Sequence, residues 1–473
     1  MESSLPFLDC LELRLDHLRE INESVVEHLV RHSPLPVIAT LRPERHGGLF
    51  QGEERLRLDL LKKAALCGAA VDLEDDIQEE ILQEFRNSYI PVILSYHNFQ
   101  ETPDDVIRIY DEMRSRNVPV VKIATRVQNI PDLLKLYSLR SREGIKILAG
   151  MGETGQCTRI LASRFGSALS FAVLNSGKPS APGQIPAQDM VKLYRVREIR
   201  SSTKIYGVLG WPVAQSLSPV LHNTCFQDQK WDGVYVPLGS PTADGLRDFG
   251  ESIGFKGFSV THPHKQRISA LCDREDASAI SAGIANTIVV QEGEWVAHNT
   301  DLDGFIRPLE RQAQINQIRG AVYGSGGAAS AAVCSLRSRG ARVTVVSRNS
   351  ESGKKLAERF QAEYQSEYPL EKACPDVLVN ATPVGMYPNP EGLPFDLRKI
   401  LKERNASDTI VYDMVYNPRR TGILRQAEEL GCRRIYGLEM FVEQAARQFF
   451  LWTGAEMPRD MALQAVTRAL EER

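Results

Sequence analysis

The first 200 residues alternate short apolar runs with segments whose apolar positions recur at helical spacing. Several runs are apolar almost throughout, as parallel strands covered on both faces are. Seven β/α repeats in so short a span predict a barrel rather than an open sheet. The seven predicted strands, each bounded by Gly, Pro or Asn, are residues 11–15, 37–41, 69–73, 91–95, 119–124, 145–149 and 168–173.

The carboxyl ends of these predicted strands carry an unusual concentration of polar side chains. A β/α barrel places its chemistry at these ends, because they meet on one face of the barrel. So many polar groups at equivalent places therefore indicate one site. The residues concerned are Glu12, Arg14, Asp16, Arg42, Glu74, His97, Lys122 and Met151.

A second α/β region follows the polar, charged stretch 194–203, which we interpret as a linker. Its most informative segment is a glycine-rich turn between a predicted strand and a predicted helix. The spacing of Gly324, Gly326 and Ala329 matches the pattern G-x-G-x-x-A of dinucleotide-binding turns. Gly324 permits the tight turn, and Gly326 lets backbone N–H groups approach a pyrophosphate. The alternative is a glycine-rich turn that binds nothing.

The strand after this turn, residues 342–346, ends in Ser347 and Arg348. NAD-binding domains carry an acidic residue there, which bonds to the ribose 2′-hydroxyl. A cation suits a 2′-phosphate instead, so we predict NADP rather than NAD. In the competing interpretation Arg348 is a solvated loop cation.

Composition narrows the class of protein. With 473 residues, 42% apolar and 25% charged, the chain is typical of a soluble globular protein of about three domains. Its 57 Lys and Arg against 60 Asp and Glu give a formal charge of −3, which argues against a nucleic-acid or anionic-membrane surface. No apolar run approaches the roughly 20 residues that span a bilayer.

Targeting and cysteine usage point to the cytoplasm. The first ten residues resemble neither a signal peptide nor a transit peptide. The eight Cys include no C-x-x-C pair, as expected of thiols in a reducing compartment. His262 and His264 form an H-x-H with no third ligand nearby, so we expect no metal.

Ordered motifs resemble two known enzyme families. The first half resembles type I 3-dehydroquinate dehydratase, through Glu12-Leu13-Arg14-Leu15-Asp16, Thr40-Leu41-Arg42, Ser95-Tyr96-His97-Asn98-Phe99, Val121-Lys122-Ile123-Ala124, Met151-Gly152, Arg159 and Ser180-Ala181-Pro182-Gly183-Gln184. The second half resembles shikimate dehydrogenase, through Ser216-Leu217-Ser218-Pro219, Val260-Thr261-x-Pro263-x-Lys265, Ala285-Asn286-Thr287, Asn299-Thr300-Asp301, the glycine turn, Asn380-Ala381-Thr382-Pro383-Val384-Gly385, Tyr412-Asp413-Met414 and Gln444. Fusion in this order is similar to bifunctional shikimate-pathway enzymes of plants and some intracellular bacteria.

The first resemblance implies that Lys122 forms an imine with 3-dehydroquinate and that His97 moves the protons of water elimination. A cationic imine acidifies the neighbouring carbon. Because the attacking amine must be neutral, we expect burial or nearby cations around Lys122. Arg159 is our candidate for the substrate carboxylate, since a guanidinium matches it with two parallel bonds. The substrate-binding residues that the resemblance implies are Glu12, Arg14, Arg42, Arg159, Ser180 and Gln184.

The second resemblance implies reduction of 3-dehydroshikimate to shikimate by NADPH, with Lys265 as proton donor and Asp301 polarising it. Implied substrate contacts are Ser216, Ser218, Thr261, Asn286, Tyr416 and Gln444. Implied cofactor contacts are Gly324, Ser325, Gly326, Gly327, Ala328, Ser347, Arg348, Asn349, Thr382 and Gly437. Ser216 and Ser218 also suit a helix N-terminus before Pro219.

The chain departs from the family patterns in three places. His46 stands before Gly47-Gly48 where the dehydratase family has Glu, so we expect a slower dehydratase, with Glu12 or Glu44 as a replacement carboxylate near His97. The second arginine of the NADP motif N-R-T-x-x-R is absent. Its substitutes would be Lys354 or Lys355.

The third departure concerns the barrel. Only 11 residues precede Glu12, where the family has a complete βα unit. We therefore expect a (β/α) barrel of TIM type without its first strand, and we favour Met1 being internal to a longer natural chain.

We predict three modules. A dehydratase barrel spans 1–195, a substrate domain spans 204–305 with 437–473 returning to it, and a Rossmann-type NADP domain spans 306–436. The expected partners are small cyclic acids, not nucleic acid or membrane, and the sequence does not decide the oligomeric state. Three alternatives stay open: a barrel that is only a scaffold, a barrel that is a type I aldolase using the same lysine, and a quinate dehydrogenase.

Overall fold

Two compact α/β units make up the chain. The structure, a computed structural model, describes residues 2–174, 182–367, 375–401 and 405–472. Unit 1 is formed by Met1–Thr203 with Pro212–Ala214 and Val236–Gly254, and unit 2 by Lys204–Trp211, Gln215–Tyr235 and Phe255–Arg473. Within the described ranges, no helix combines the length and apolarity needed to cross a bilayer.

The first sheet has six parallel strands in chain order. Its strands are β1 Leu11–Arg14, β2 Val37–Thr40, β3 Ala70–Glu74, β4 Val92–Asn98, β5 Val120–Arg126 and β6 Ile145–Met151. The helices of this half are α1 Glu23–Arg31, α2 Glu54–Leu66, α3 Glu79–Asn87, α4 Val106–Ser115, α5 Ile130–Ser138, α6 Gln156–Ile160 and α7 Ala187–Lys192. Because β1 and β6 are the edge strands among the described residues, the sheet is half-barrel-like.

The predicted seventh strand, residues 168–173, is wrong. Ala168 N donates to Lys146 O at 2.8 Å, but Leu148 N then donates to the side chain of Ser167 at 3.0 Å. A hydroxyl in place of a backbone carbonyl ends the pairing with β6. Only an isolated bridge, Val173 to Pro186, remains.

The stretch predicted to be a linker, 194–203, is folded into unit 1. It contains a short 3-10 helix, Val196–Glu198, and buries Tyr194 and Ile199. Arg197 donates to Asp9 at 3.0 Å. The charges that suggested an unstructured connection therefore hold this segment against the amino-terminal residues.

The remaining strands form two further six-stranded sheets. Their strands are β7 Lys204–Gly210, β8 Gly233–Gly239, β9 Phe255–Val260, β10 Arg274–Glu275, β11 Thr287–Gln291, β12 Glu294–His298, β13 Arg319–Tyr323, β14 Arg342–Val346, β15 Glu363–Gln365, β16 Val377–Asn380, β17 Ile410–Asp413 and β18 Arg433–Ile435. The second sheet is mixed, with order β10-β12-β11-β9-β7-β8, and the third is parallel, with order β15-β14-β13-β16-β17-β18.

The helices that accompany these sheets are α8 Ser218–Asp228, α9 Leu246–Ile253, α10 Ala277–Ala282, α11 Asp301–Glu310, α12 Gly327–Ser338, α13 Ser350–Arg359, α14 Leu397–Leu401, α15 Gly422–Glu429, α16 Gly437–Thr453 and α17 Arg459–Glu471. After the third sheet the chain returns to the second one, since α16 packs on β9 and β11 and α17 packs on α8. In the third sheet the strand order reverses between β13 and β16. An open parallel sheet binds its ligand at such a point, outside the carboxyl ends of the strands.

A buried aromatic cluster joins α8 to α16. The His222 ring stacks on Tyr235 with 4.5 Å between centroids and lies 5.2 Å from the Trp452 ring. His222 is fully buried. Burial lowers its pKa to about 3, against 6.5 for an exposed histidine.

His222 makes unit 2 sensitive to acid. His222 binds a proton near pH 6.5 in the unfolded chain but only near pH 3 in the folded one. The neutral, buried ring therefore makes its full contribution to the free energy of unfolding above pH 6.5. That contribution decreases as the pH falls from 6.5 toward 3. We expect His222→Phe to remove this part of the dependence. The measurement is urea unfolding between pH 7 and 4.5 by tryptophan fluorescence, since all four Trp lie in unit 2.

His32→Gln is the control, because His32 is exposed directly after α1. If His222→Phe and the parent chain lose stability in parallel from pH 7 to 4.5, the assignment is wrong.

Candidate active sites

The first site lies inside the half-barrel, because alternate residues of each strand face the same side of a sheet. Thr40 on β2 pairs in register with both Arg14 on β1 and Asp72 on β3. Ser95 on β4 pairs in register with Lys122 on β5. Below them Ile38, Ile93 and Ile147 form an apolar layer. Local alternation of side chains therefore directs charged groups from separate strands into one interior.

Lys122 is buried, as the sequence argument expected, and its direct partner is a carboxylate. Its Nζ donates to Asp72 Oδ2 at 2.8 Å and lies 3.8 Å from Glu12 Oε1. The Phe171 ring covers it, with the ring centroid 4.4 Å from Nζ. The amine is thus held between an aromatic face and two acidic groups.

Asp72 is missing from our candidate list, although it lies two residues before Glu74 on β3 and faces the same side. Burial by itself would raise the pKa of Asp72, but Lys122 and Arg42 outweigh it and hold that pKa well below its usual range. For Glu74, burial dominates and raises the pKa. A signal was available: the charges of Asp72 and Glu74 interrupt an otherwise apolar strand.

His97 takes its orientation from Arg42. Arg42 Nη1 donates to His97 Nδ1 at 2.8 Å, and Arg42 Nη2 lies 3.3 Å from Asp72 Oδ2. Burial, together with the cations of Arg42 and Lys122, lowers the pKa of His97 well below its usual range. The ring is therefore neutral at pH 7.

Arg159 on α6 is a buried guanidinium, 3% exposed, without a carboxylate bonded to it among the described residues. It donates a long hydrogen bond, 3.5 Å, to Phe171 O. Burial lowers its pKa to about 10. A desolvated cation without a bonded anion is costly, and a bound anion would compensate it.

Lys122, His97, Arg42 and Arg159 line one cavity. Seven predicted site residues contribute to it, namely Glu12, Arg14, Arg42, His97, Lys122, Arg159 and Gln184. Ser180 lies outside the described residues. Asp16 bonds both oxygens to Arg14, at 3.0 and 2.7 Å, and so fixes that arginine.

The second site is built around Lys265 and Asp301, which lie 36 positions apart and meet in the fold. Lys265 Nζ donates to Asp301 Oδ2 at 2.5 Å. Asn286 Nδ2 donates to Asp301 Oδ1 at 2.8 Å. Asp301 is buried, whereas the side chain of Lys265 is 24% exposed. The lysine thus reaches solvent while its partner carboxylate does not.

The other predicted substrate contacts at or near element ends are Thr261, Ser216, Ser218, Tyr416 and Asn286. Thr261 follows β9, and Ser216 Oγ accepts from Ser218 N at 3.3 Å at the start of α8. Tyr416 stacks on Phe441 of α16, with centroids 4.9 Å apart. Both N–H bonds of the Asn286 amide are used within the protein, by Asp301 and by Thr300. Its predicted contact with substrate stays a prediction.

Gln444 lies where α16 crosses α11. A Cβ on Gly304 of α11 would lie 2.6 Å from the Cβ of Gln444 and 3.0 Å from Met440 O. Real Cβ atoms do not approach so closely, so only glycine allows this crossing. The contact sets the distance between the helix that begins with Asp301 and the helix that carries Gln444.

The glycine turn follows β13 at the reversal point of the third sheet. Gly324 has φ +124°, and a Cβ there would lie 2.8 Å from Ala381 O, so the turn requires glycine. A Cβ on Gly326 would meet nothing within 4 Å. A Cβ on Gly327, the first residue of α12, would lie 3.7 Å from Lys265 Cδ. The helix N-terminus, with open space before it, therefore lies beside the candidate proton donor.

The predicted cofactor residues border this turn. Ser325 Oγ and Ser347 Oγ are 3.0 Å apart, and Asn349 caps α13. Arg348 is exposed, and no described residue bonds to its guanidinium. Of the two lysines proposed to support it, Lys355 is paired with Glu351 at 2.7 Å, whereas Lys354 is exposed without an ion pair to a described residue. Ala328 follows Gly327 in α12, Thr382 follows β16 and Gly437 begins α16.

Comparison with known proteins assigns each half of the chain to an enzyme family. Residues 4–201 match the family model of type I 3-dehydroquinase, 208–288 that of the shikimate dehydrogenase substrate binding domain and 437–467 that of the shikimate 5'-dehydrogenase C-terminal domain. The chloroplastic bifunctional 3-dehydroquinate dehydratase/shikimate dehydrogenase of Arabidopsis thaliana is 35% identical over 490 residues, which cover 97% of this chain and 80% of the relative. The chain belongs to this bifunctional family.

Relatives of the dehydrogenase half are also found alone. The shikimate dehydrogenase (NADP(+)) of Shouchella clausii is 36% identical over 277 residues, 56% of this chain and 98% of that protein. The solved structure of shikimate 5-dehydrogenase from Thermus thermophilus in complex with NADP(H) and shikimate superposes with a TM-score of 0.51 and 32% identity, over 56% of this chain and 99% of that one. The first half of the bifunctional chain is thus its dehydratase and the second its NADP-dependent shikimate dehydrogenase.

His46, which stands where the dehydratase family has Glu, lies beside a carboxylate. Its Nε2 lies 3.0 Å from Asp76 Oδ2. Glu12 accepts from Thr40 and Glu44 accepts from Gln51, and among the described residues neither carboxylate bonds to the His97 ring. Arg42 bonds to the His97 ring instead and orients it. The expected slower dehydration stays a prediction.

A metal site was not expected for the bifunctional chain. Among the described residues no group of three His, Cys, Asp or Glu side chains has an arrangement that would hold a metal ion.

The α11–α16 crossing gives a test that separates the two halves. Gly304→Ala forces the helices apart and displaces Asp301 relative to Gln444, so we expect kcat/KM for shikimate oxidation to fall about tenfold or more, with dehydratase activity unchanged. Steady-state assays of both activities on one preparation measure this.

Gly320→Ala adds the same methyl group in the third sheet, where the nearest atom is the flexible end of Leu336 at 3.1 Å. This control should keep its activity within about twofold. Equal losses in the two variants, or none in Gly304→Ala, would refute the argument.

Proposed function

We propose that Lys122 and His97 carry out the dehydration of 3-dehydroquinate through a Schiff base, and that Lys265 and Asp301 carry out the reduction of 3-dehydroshikimate. The observation that carries the proposal is the pair of lysine–aspartate bonds, each inside a different α/β fold and each beside groups suited to a small cyclic acid. The proposed modules are 1–195, 204–305 with 437–473, and 306–436.

Imine formation at Lys122 conserves charge. An ammonium and a ketone give an iminium and one water, so a cation lies beside Asp72 both before and after this step. The Asp72 carboxylate, 2.8 Å from Nζ, supports the ammonium before the reaction and the iminium during it. A later water restores the amine and releases the new ketone. The carboxylate that our sequence argument omitted therefore has a direct electrostatic role.

His97 moves the proton in the elimination. A guanidinium has only donors, so in the free enzyme Nδ1 accepts from Arg42 and the ring proton lies on Nε2. A substrate oxygen is a stronger acceptor for Arg42, and its arrival frees Nδ1 to take the proton from the carbon beside the iminium. Because the pKa of His97 is well below its usual range, the protonated ring returns that proton readily to the departing hydroxyl, which leaves as water.

Arg159 is the proposed carboxylate anchor. It reaches the same cavity as Lys122, and its buried cation has no bonded carboxylate among the described residues. A substrate carboxylate there compensates the charge and fixes the ring relative to the amine. Arg14, held by Asp16, and Gln184 line the remaining wall and are suited to ring hydroxyls.

At the second site Lys265 gives its proton to the carbonyl oxygen as the ketone is reduced. Asp301 keeps the ammonium in place, and the partial exposure of Lys265 allows water to restore the proton. Ser216, Ser218, Thr261, Tyr416 and Gln444 are the proposed contacts for the carboxylate and hydroxyls of the substrate. NADPH, when bound, supplies the hydride.

The residues around the glycine turn fit NADP. The open space at Gly326 and the N-terminus of α12 suit a pyrophosphate, and the exposed Arg348 suits a 2′-phosphate. Ser325, Ser347, Asn349 and Thr382 supply hydroxyls and an amide around it. Lys354 is the second proposed cation for the phosphate.

Paired lysine variants test the two roles. Lys122→Met should lower dehydration at least about a thousandfold and leave shikimate oxidation intact, whereas Lys265→Met should do the reverse, by about a thousandfold. Borohydride reduction in the presence of 3-dehydroquinate should add the mass of the trapped substrate to the peptide containing Lys122, as read by peptide mass spectrometry.

Lys265→Met is the matched control, since it must still form the adduct. An unlabelled Lys122 peptide in active enzyme would overturn the Schiff base, and full dehydratase activity in Lys122→Met would favour another catalytic group. An adduct that forms with aldol donors in preference to 3-dehydroquinate would favour the aldolase. Faster oxidation of quinate than of shikimate would favour quinate dehydrogenase.

Cofactor choice is tested at Arg348. Arg348→Ala removes a charge-assisted contact to the 2′-phosphate, so the KM for NADPH should rise about tenfold while the KM for NADH stays the same. Arg342→Ala removes an equal charge from the opposite end of β14 and serves as the control. Equal efficiency of the parent enzyme with NADH and NADPH would contradict the NADP assignment.

A further inference from the structure

A continuous chain of buried hydrogen bonds runs from β8 through α16 to Asp301. Tyr235 Oη donates to Ser259 Oγ at 2.6 Å, and Ser259 donates to Gln448 Oε1 at 2.9 Å. Gln448 Nε2 donates to Thr287 Oγ1 at 2.9 Å, and Thr287 donates to Asn286 Oδ1 at 2.8 Å. Every member is less than a tenth exposed.

The direction of this chain follows from counting donors. The Thr300 backbone N–H can only donate, and it donates to Asn286 Oδ1 at 2.7 Å. The amide nitrogen of Asn286 therefore faces Asp301 Oδ1. Since Thr287 gives its one proton to Asn286, it must accept from Gln448. All donors thus point toward the carboxylate, where bonds in series strengthen one another.

The sheet register explains why these groups meet. Thr287 on β11 and Ser259 on β9 are direct partners in an antiparallel pair, so their side chains lie on the same face of the second sheet. Helix α16 packs on that face and places Gln448 across both hydroxyls. One glutamine therefore connects the returning carboxyl-terminal helix to β11, the strand that begins directly after Asn286.

We propose that Thr287 and Gln448 are positioning residues of the dehydrogenase, which fix the Asn286 amide so that Asp301 presents its Oδ2 to Lys265. Neither residue contacts Lys265 directly. The proposal rests on the proposed roles of Lys265 and Asp301. It gives α16 a part in the chemistry separate from the substrate contact proposed for Gln444.

Removal of one hydroxyl tests this proposal. Thr287→Val deletes the donor to Asn286 with little change in volume, and it should lower kcat for shikimate oxidation about tenfold while KM changes less than about twofold. Gln448→Met should lower kcat in the same way, by about threefold to tenfold. Thr287→Ser keeps the hydroxyl and should retain at least half of the parent kcat.

Two controls separate positioning from general stability. Thr453→Val removes another hydroxyl bond from α16, Thr453 Oγ1 to Phe449 O, and should leave kcat unchanged. The dehydratase activity of each variant reports that the same polypeptide is folded in its other half, and tryptophan fluorescence reports unit 2.

Each outcome is decisive. Unchanged kcat in Thr287→Val, equal loss in Thr287→Ser, or a rise in KM with kcat constant would overturn the positioning role. If Lys265→Met and Asp301→Asn keep full dehydrogenase activity, the proposed function itself fails. If those two lose activity while Thr287→Val does not, the hydrogen-bond chain alone fails.

Discussion

Each half of this chain is organised around one lysine ammonium bonded to one aspartate carboxylate. A buried ammonium without such a partner is strongly disfavoured, so the surrounding fold must hold the carboxylate in place. Asp72 is held on β3 between Lys122 and Arg42, and Asp301 is held at the start of α11 by Asn286. The other polar residues of each site take their positions from these pairs.

The two pairs differ in a way that suits different reactions. The Lys122–Asp72 pair is closed off, with the lysine 6% exposed, and imine formation from an ammonium and a ketone needs no net exchange of protons with solvent there. Lys265 is 24% exposed, and a lysine that gives away its proton must recover it from water. The burial of each lysine side chain, more than the residue type, thus distinguishes the covalent catalysis from the proton donation that we propose.

Most of the first site was predictable from local patterns. The apolar runs predicted that Glu12, His97 and Lys122 lie at strand ends, and all three line one cavity, although Lys122 is the third of the seven residues of β5. The strand predicted at 168–173 failed because the Ser167 hydroxyl, and not a carbonyl, accepts from Leu148. A sequence window cannot reveal which acceptor reaches a given N–H, because that choice is made between segments distant in the chain.

The sequence by itself determined the repeating strands of the first half, the glycine turn at Gly324 and both lysines, because side-chain periodicity, backbone conformation and residue chemistry are local properties. Only the tertiary structure decided that Asp72 joins Lys122, that Arg42 orients His97 in place of a carboxylate, and that Gln448 reaches Thr287. These contacts span tens to more than 160 positions of the chain. They depend on how sheets and helices pack, and the partners are chosen by burial and unpaired hydrogen bonds that exist only after folding.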